Sequence, residues 1–266
     1  MRFATLRMAA LAGAGFVAAA SAQQVPPAST SPAGSGGANN PALIAKVADG
    51  PAPRLPDGTP DLSGVWVGGG PVGDIKEGLA PGEQIVMKPE AEALMKKRMA
   101  AEDPEARCLP TGVPRVAPYP WRIVQTPAFG KATHLFFLFE GNIHSYRQIF
   151  MDGRAHPDDL EATWYGHSVG HWEGDTLVIE TVGFNDKFWF DFQGHPHTTQ
   201  LRTVERYTRT SMGKLENVTT IYDPGAYTKP FTLKYTATSR PGWELMEYIC
   251  NENNQDVEHI RGKAGL

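Results

Sequence analysis

Leu201-Arg202-Thr203-Val204-Glu205-Arg206-Tyr207-Thr208-Arg209-Thr210-Ser211-Met212-Gly213-Lys214-Leu215-Glu216-Asn217-Val218-Thr219-Thr220-Ile221-Tyr222 decides the fold. Two runs rich in β-branched and aromatic residues, 201–210 and 215–222, flank a short segment in which Gly213 stands where a tight turn uses a positive φ. That pattern predicts a β-hairpin. By the period of two, Leu201, Thr203, Glu205 and Tyr207 share one face, while Glu205 and Arg206 point to opposite faces. Working outward, Phe139-Glu140-Gly141-Asn142 and Trp172-Glu173-Gly174-Asp175 carry the same turn signature. Strands are expected at residues 122–125, 133–140, 143–151, 176–183, 231–238 and 244–250.

One segment has helical character. Residues 89–101 begin with Pro89, hold Glu90 and Glu92 early and Lys96, Lys97 and Arg98 late, the charge order that suits the helix dipole. No helical pattern separates the strands, which excludes a doubly wound parallel sheet. The expected fold is mainly β, an antiparallel barrel-like (lipocalin-like) or sandwich meander with one short N-terminal helix.

The chain begins with Arg2 and Arg7 ahead of the apolar run 8–20 and the small-residue site Ala20-Ser21-Ala22. This is the pattern of a signal peptide spanning residues 1–22, with cleavage after Ala22 and a periplasmic or secreted product. No lipid-accepting cysteine ends the signal and no later apolar run reaches the roughly 20 residues a membrane helix needs, so no membrane anchor is expected. Loss of Arg2 and Arg7, with no acidic residue, moves the formal net charge from −4 to −6. An acidic balance without a basic stripe argues against nucleic acid as a partner. Residues 23–55, rich in Pro, Ser, Gly and Ala, read as a disordered linker, and residues 56–266 as a single β-rich domain. Cys108 and Cys250 are the chain's two cysteines, and in an oxidising compartment a disulfide between them is the natural pairing; two buried thiols are the alternative.

Arg147-Gln148-Ile149-Phe150-Met151-Asp152-Gly153-Arg154, the block from Gly166 through His171-Trp172-Glu173-Gly174-Asp175 to Thr181, Asp61-Leu62-Ser63-Gly64-Val65-Trp66, Cys108-Leu109-Pro110, Gly194-His195-Pro196-His197 and Glu247-Tyr248-Ile249-Cys250-Asn251-Glu252-Asn253 resemble an uncharacterised family of secreted bacterial β-rich proteins. The resemblance implies export and carries no reaction with it. At His167 and His171 this chain departs from the tyrosine and arginine frequent in that family.

Chemistry is expected between positions 156 and 197, which hold five of the eight histidines and three of the six tryptophans. Histidine transfers protons near neutrality and binds borderline metals, and tryptophan offers flat apolar surface. His156 and His197 each adjoin a proline in a loop and are the preferred acid–base pair, with Arg147 steadying developing negative charge and Glu205 on an adjoining strand face. If His197 is a loop residue away from the core, its replacement by alanine should change stability by less than about 1 kcal/mol. Trp164, Tyr165, Asn185 and Trp189 are candidate substrate-binding residues. His195 and His197, one residue apart, are a candidate pair of ligands for a divalent metal, although Pro196 steers them away from a regular strand; no cofactor at all is the other reading. Gly166-His167-Ser168-Val169-Gly170 has the glycine spacing of a nucleophile elbow but runs into strand-like sequence instead of a helix, against a serine hydrolase. The expected function is that of an exported enzyme acting by acid–base chemistry, a lyase or hydrolase, on a small organic molecule or glycan fragment. The alternative is a non-catalytic periplasmic binding module for an aromatic or sugar ligand. Oligomeric state is left open.

Overall fold

The computed structural model describes residues 50–115, 119–128, 131–141, 144–250, 252 and 262–264. The expected signal peptide, residues 1–22, and the linker through residue 49 lie outside the described residues. Nine strands close into a barrel in sequence order. They are β1 (Gly64–Gly68), β2 (Trp121–Ala128), β3 (Lys131–Phe139), β4 (Tyr146–Phe150), β5 (His167–Glu173), β6 (Thr176–Val182), β7 (Arg202–Ser211), β8 (Lys214–Tyr222) and β9 (Phe231–Ser239). The ring shuts where β1 pairs with β9, Trp66 opposite Ser239 and Gly68 opposite Ala237.

The hairpin that opens the sequence is β7–β8, with Glu205 opposite Thr219 and Tyr207 opposite Asn217. Ser211 pairs with Lys214 across the turn, and a register shift falls between Arg209 and Ser211 just before it. The β5–β6 turn uses its glycine, Gly174 at φ 58°.

Three differences separate the structure from the expectation. The segment 244–250, expected as a strand, is not one. With β1 and β9 already paired the barrel has no free edge to offer it, so it crosses the outside as an irregular strap held by Arg122 Nη2 donating to Trp243 O (3.3 Å) and Met246 N donating to Glu140 Oε2 (2.8 Å). The barrel is also mixed, because β4 and β5 run parallel. The helix α1 (Pro89–Lys97) stops short of residue 101. Arg98 leaves helical geometry at ψ 137° and carries its guanidinium over the Trp189 ring (4.7 Å) while Nη1 donates to Gly194 O (2.8 Å).

Alternation fills the interior. On β8 Leu215, Asn217, Thr219 and Ile221 are buried while their neighbours are not, and on β7 Thr203, Glu205 and Tyr207 are buried. Leu62, Trp66, Trp121, Ile123, Leu135, Phe137, Ile149 and Leu177 form the main core, each worth about 2 kcal/mol once removed from water. A second core caps the barrel end where β6 and β8 finish. Phe184, Phe188 and Phe190 come from the β6–β7 connection, Ala226 and Tyr227 from the β8–β9 connection, and Ala91 from α1. Gly112 closes that cap at φ 67°, and a Cβ there would lie 2.5 Å from the Phe188 ring.

Cys108 and Cys250 form a disulfide across 142 residues of sequence. The ordered contacts begin before Pro56. Gly50 O accepts from Met212 N (2.8 Å), and Arg54 pairs with Asp175 (2.5 Å). Among the described residues no helix is long and apolar enough to cross a membrane.

Candidate functional site: a cleft where β4 and β5 part

A parallel pair needs a crossover of about a dozen residues or more, and residues 151–166 supply it. β4 and β5 meet at two positions, Ile149 opposite Ser168 and Phe150 opposite Val169. A cavity of about 500 Å³ lies alongside the residues just before those pairs. It is lined by Ser145, Tyr146, Arg147, Gln148 and Phe150 of the β4 side and by Thr163, Trp164, Tyr165, Gly166, His167 and Ser168 of the β5 side, with Pro110 and His144 at its edge.

Its inner wall is polar and tightly bonded. Arg147, 3% exposed, donates from Nε to Ser168 Oγ (3.0 Å) and from Nη2 to Thr181 Oγ1 (2.6 Å) and to Glu205 Oε2. Glu205 Oε1 accepts from Tyr207 OH (2.9 Å), which in turn accepts from Asn217 Nδ2 (3.2 Å). The chain continues from Thr219 Oγ1, which donates to Asn217 Oδ1 (2.9 Å). A buried guanidinium and carboxylate are tolerable only as a bonded pair, and Ser168, Thr181 and Tyr207 add neutral partners to this one. The Glu205 carboxylate holds the Arg147 guanidinium above its ordinary pKa against the opposing effect of burial. Arg147 is thus neutralised from behind, which makes it a weak stabiliser of developing negative charge. Ser168, the serine of the elbow-like motif, is fully buried on strand β5 and serves this network.

Tyr165 spans the cleft. Its ring stacks on Phe139 at 5.5 Å and 22°, its hydroxyl bonds Ser145 Oγ (2.6 Å), and burial pushes its pKa up to about 12. Trp164 and Phe150 add apolar faces. At the rim the His156 and His167 Nδ1 atoms lie 2.8 Å apart, with His167 stacked on Phe150 at 5.0 Å. Burial lowers the pKa of both, and for His167 the neighbouring His156 lowers it further. Both effects favour the neutral imidazoles, and one Nδ1–H can donate to the other ring's Nδ1. His144, at φ 48°, accepts from Tyr248 N, so the C-terminal strap reaches the same rim.

The structure brings together Arg147, Glu205, Tyr165, Trp164 and, through His167, His156. The other expected residues lie elsewhere. His197 is 3% exposed in the aromatic cap, its ring centroid 3.8 Å from that of Phe188 and 5.1 Å from that of Phe190. Its Nδ1 faces Thr198 O at 3.3 Å, and burial holds its pKa down at about 4. The expectation of a loop residue away from the core does not hold, because the β6–β7 connection folds inward as the barrel's cap. His197 and His156 have separate ring partners, Phe188 and Phe190 for the one and His167 for the other. His195 is also fully buried and turns its Nδ1 to Asp191 Oδ2 (2.6 Å), while its backbone N donates to Asp191 Oδ1 (3.1 Å). The two histidines of Gly194-His195-Pro196-His197 consequently serve different partners. Metal-ligand geometry among the described residues instead gathers Asp74, Asp191 and His195. Asp191 Oδ2 is already an acceptor for Ile75 N (2.6 Å), so this cluster acts first as a strap between two loops. Asn185 bonds Thr163 O through its backbone (2.8 Å) and caps its own turn, and Trp189 lies beneath Arg98; neither lines the cleft.

Sequence reasoning passed over Ser145, Tyr146, Phe150 and Thr163. The length of residues 151–166 was the available signal, since it suits a parallel crossover better than a hairpin. Comparison of the chain with protein-family models, with curated proteins and with solved structures gave no match.

Proposed function

We propose that the protein is an exported binding barrel whose β4–β5 cleft holds a small aromatic or sugar ligand. The observation that carries this is the composition of the cleft. Trp164, Tyr165, Tyr146 and Phe150 present ring faces beside Ser145, Thr163, Gln148 and His167, a mix of apolar platform and a few directed polar groups that suits a small ligand. The Cys108–Cys250 disulfide fits an oxidising compartment. The test is titration of the mature protein with a panel of monosaccharides and phenolic acids, read by calorimetry and by tryptophan fluorescence. Saturable binding that is lost in Trp164→Ala supports the reading. A panel without a binder, or a binder indifferent to Trp164→Ala, overturns it.

A second reading, acid–base catalysis on such a ligand, is favoured by the His156–His167 pair. Burial favours the neutral form of both rings, which suits His167 to accept a proton with His156 behind it as relay. In that case His167→Phe abolishes turnover of a bound ligand and leaves its affinity within about threefold, a split expected when a group acts mainly in the transition state.

A further inference from the structure

A second cavity, of about 350 Å³, opens at the other end of the barrel, beside the start of β1, the β7–β8 turn and the segment that follows β9. It is lined by Ser63, Gly64, Val65, Arg122, Arg209, Met212, Ser239, Arg240, Pro241, Gly242 and Trp243. Three of these residues carry a positive charge and none carries a negative one. Among the described residues, no ion pair includes Arg122, Arg209 or Arg240, whereas Arg54, Arg115, Arg147, Arg154, Arg202 and Arg206 are each paired with a carboxylate.

The three guanidiniums are held by neutral acceptors. Arg209 donates from Nη1 to Asp61 O (2.6 Å) and from Nη2 to Met212 O (2.6 Å), with its guanidinium 4.9 Å from the Trp66 ring centroid. Arg122 donates to Trp243 O and Arg240 to Ser239 O, both at 3.3 Å. These backbone carbonyls fix the forks without cancelling their charge. The Asp61 carboxylate, which acts on Arg209, is engaged with Ser63 N (2.8 Å). Three donors of this cluster, Arg122 Nε, Arg209 Nε and the indole Nε1 of Trp243, are buried and have no hydrogen-bond partner among the described residues. Buried donors are almost always satisfied, and charged ones strongly favour an anionic acceptor.

We propose that this cavity binds a small molecule carrying an oxyanion group, a carboxylate, sulfate or phosphate, which the guanidiniums and the Trp243 indole N–H engage from several sides. Guanidinium forks match such planar or tetrahedral oxyanions in geometry as well as charge. The site is separate from the β4–β5 cleft and stands whether or not that cleft holds a ligand.

The experiment is calorimetric titration of the mature protein, at constant ionic strength in a zwitterionic buffer, with sodium sulfate, sodium phosphate and sodium acetate as separate probes. At least one is expected to bind saturably, and the order among them separates inorganic from organic oxyanions. Arg240→Gln and Arg122→Gln are each expected to weaken that binding about tenfold, the loss typical of a charge-assisted hydrogen bond. Trp243→Phe keeps the ring's bulk, removes only the N–H, and reports on the site if an arginine variant fails to fold. Absence of saturable binding by all three probes, or unchanged binding in the folded variants of Arg122, Arg240 and Trp243, overturns the proposal.

Discussion

Replacing His197 by phenylalanine should make the protein less sensitive to acid. The wild-type ring is buried against Phe188 and Phe190, and its pKa falls from 6.5 to about 4 on folding. Above pH 6.5 the ring is neutral in both the folded and unfolded chains, and titration contributes nothing. As pH falls from 6.5 towards 4, the unfolded chain takes up a proton that the folded chain refuses, so stability is lost across that window. Below about pH 4 the folded chain binds the proton as well, and the loss levels off. The shift of about 2.5 pH units corresponds to roughly 3 kcal/mol at the acid end, at about 1.4 kcal/mol per unit. His156 and His167 act in the same direction but less strongly, being part-exposed, and they are common to both proteins. Urea unfolding of wild type and variant at closely spaced pH values from neutrality to about pH 4 measures the difference. The two curves should converge as the medium is acidified, with the variant gaining up to roughly 3 kcal/mol relative to wild type. If both proteins lose stability in parallel across the window, the ring is not held neutral by the aromatic cap and the reasoning fails.

Arg147→Met leaves the Glu205 carboxylate buried without its cation and is expected to cost about 3–5 kcal/mol, whereas Arg147→Met/Glu205→Leu should recover much of that loss; equal melting temperatures for the single and double variants would speak against a coupled pair. Gly112→Ala should lower stability by about 2 kcal/mol or more, since φ is 67° and the added methyl meets the Phe188 ring, and thermal denaturation will show it. Reduction of the Cys108–Cys250 disulfide should lower the melting temperature and raise the intact mass by two hydrogens; thiols that react with alkylating reagent before reduction would contradict the link. Limited proteolysis should spare residues from Gly50 onward, because Met212 and Asp175 hold that segment to the barrel.

Alternation made β7 and β8 legible, but β5 alternates too and was not among the expected strands. On β7 and β8 the alternation of Thr203, Glu205 and Tyr207 with polar neighbours survives unchanged in the folded barrel. It was not legible at β1, where Gly64-Val65-Trp66-Val67-Gly68 is too short and too rich in glycine to signal a strand, although it completes the ring. The segment 244–250 showed the opposite failure. Its composition suits a strand, but pairing needs an open edge, and edges are a property of the whole sheet. For the site, Arg147, Glu205, Trp164 and Tyr165 could be picked as residue types with chemistry to offer, and they do gather around one cleft. What sequence did not reveal was the inward folding of residues 183–201. That fold converts Gly194-His195-Pro196-His197 from an apparent chelating loop into part of an aromatic cap, because Phe184, Phe188 and Phe190 supply the apolar surface that draws it in. A lone motif carries no information about which side of the loop meets solvent.

β1, paired over three positions with β2 and three with β9, joins the beginning of the ring to its end. Such pairing has the longest sequence separation in the domain and so the highest cost in loop-closure entropy, which places it late in assembly. A nascent chain therefore cannot seal this ring until Ser239 has left the ribosome. Until then the strands already made form an open ribbon whose outer strands lack partners along one edge.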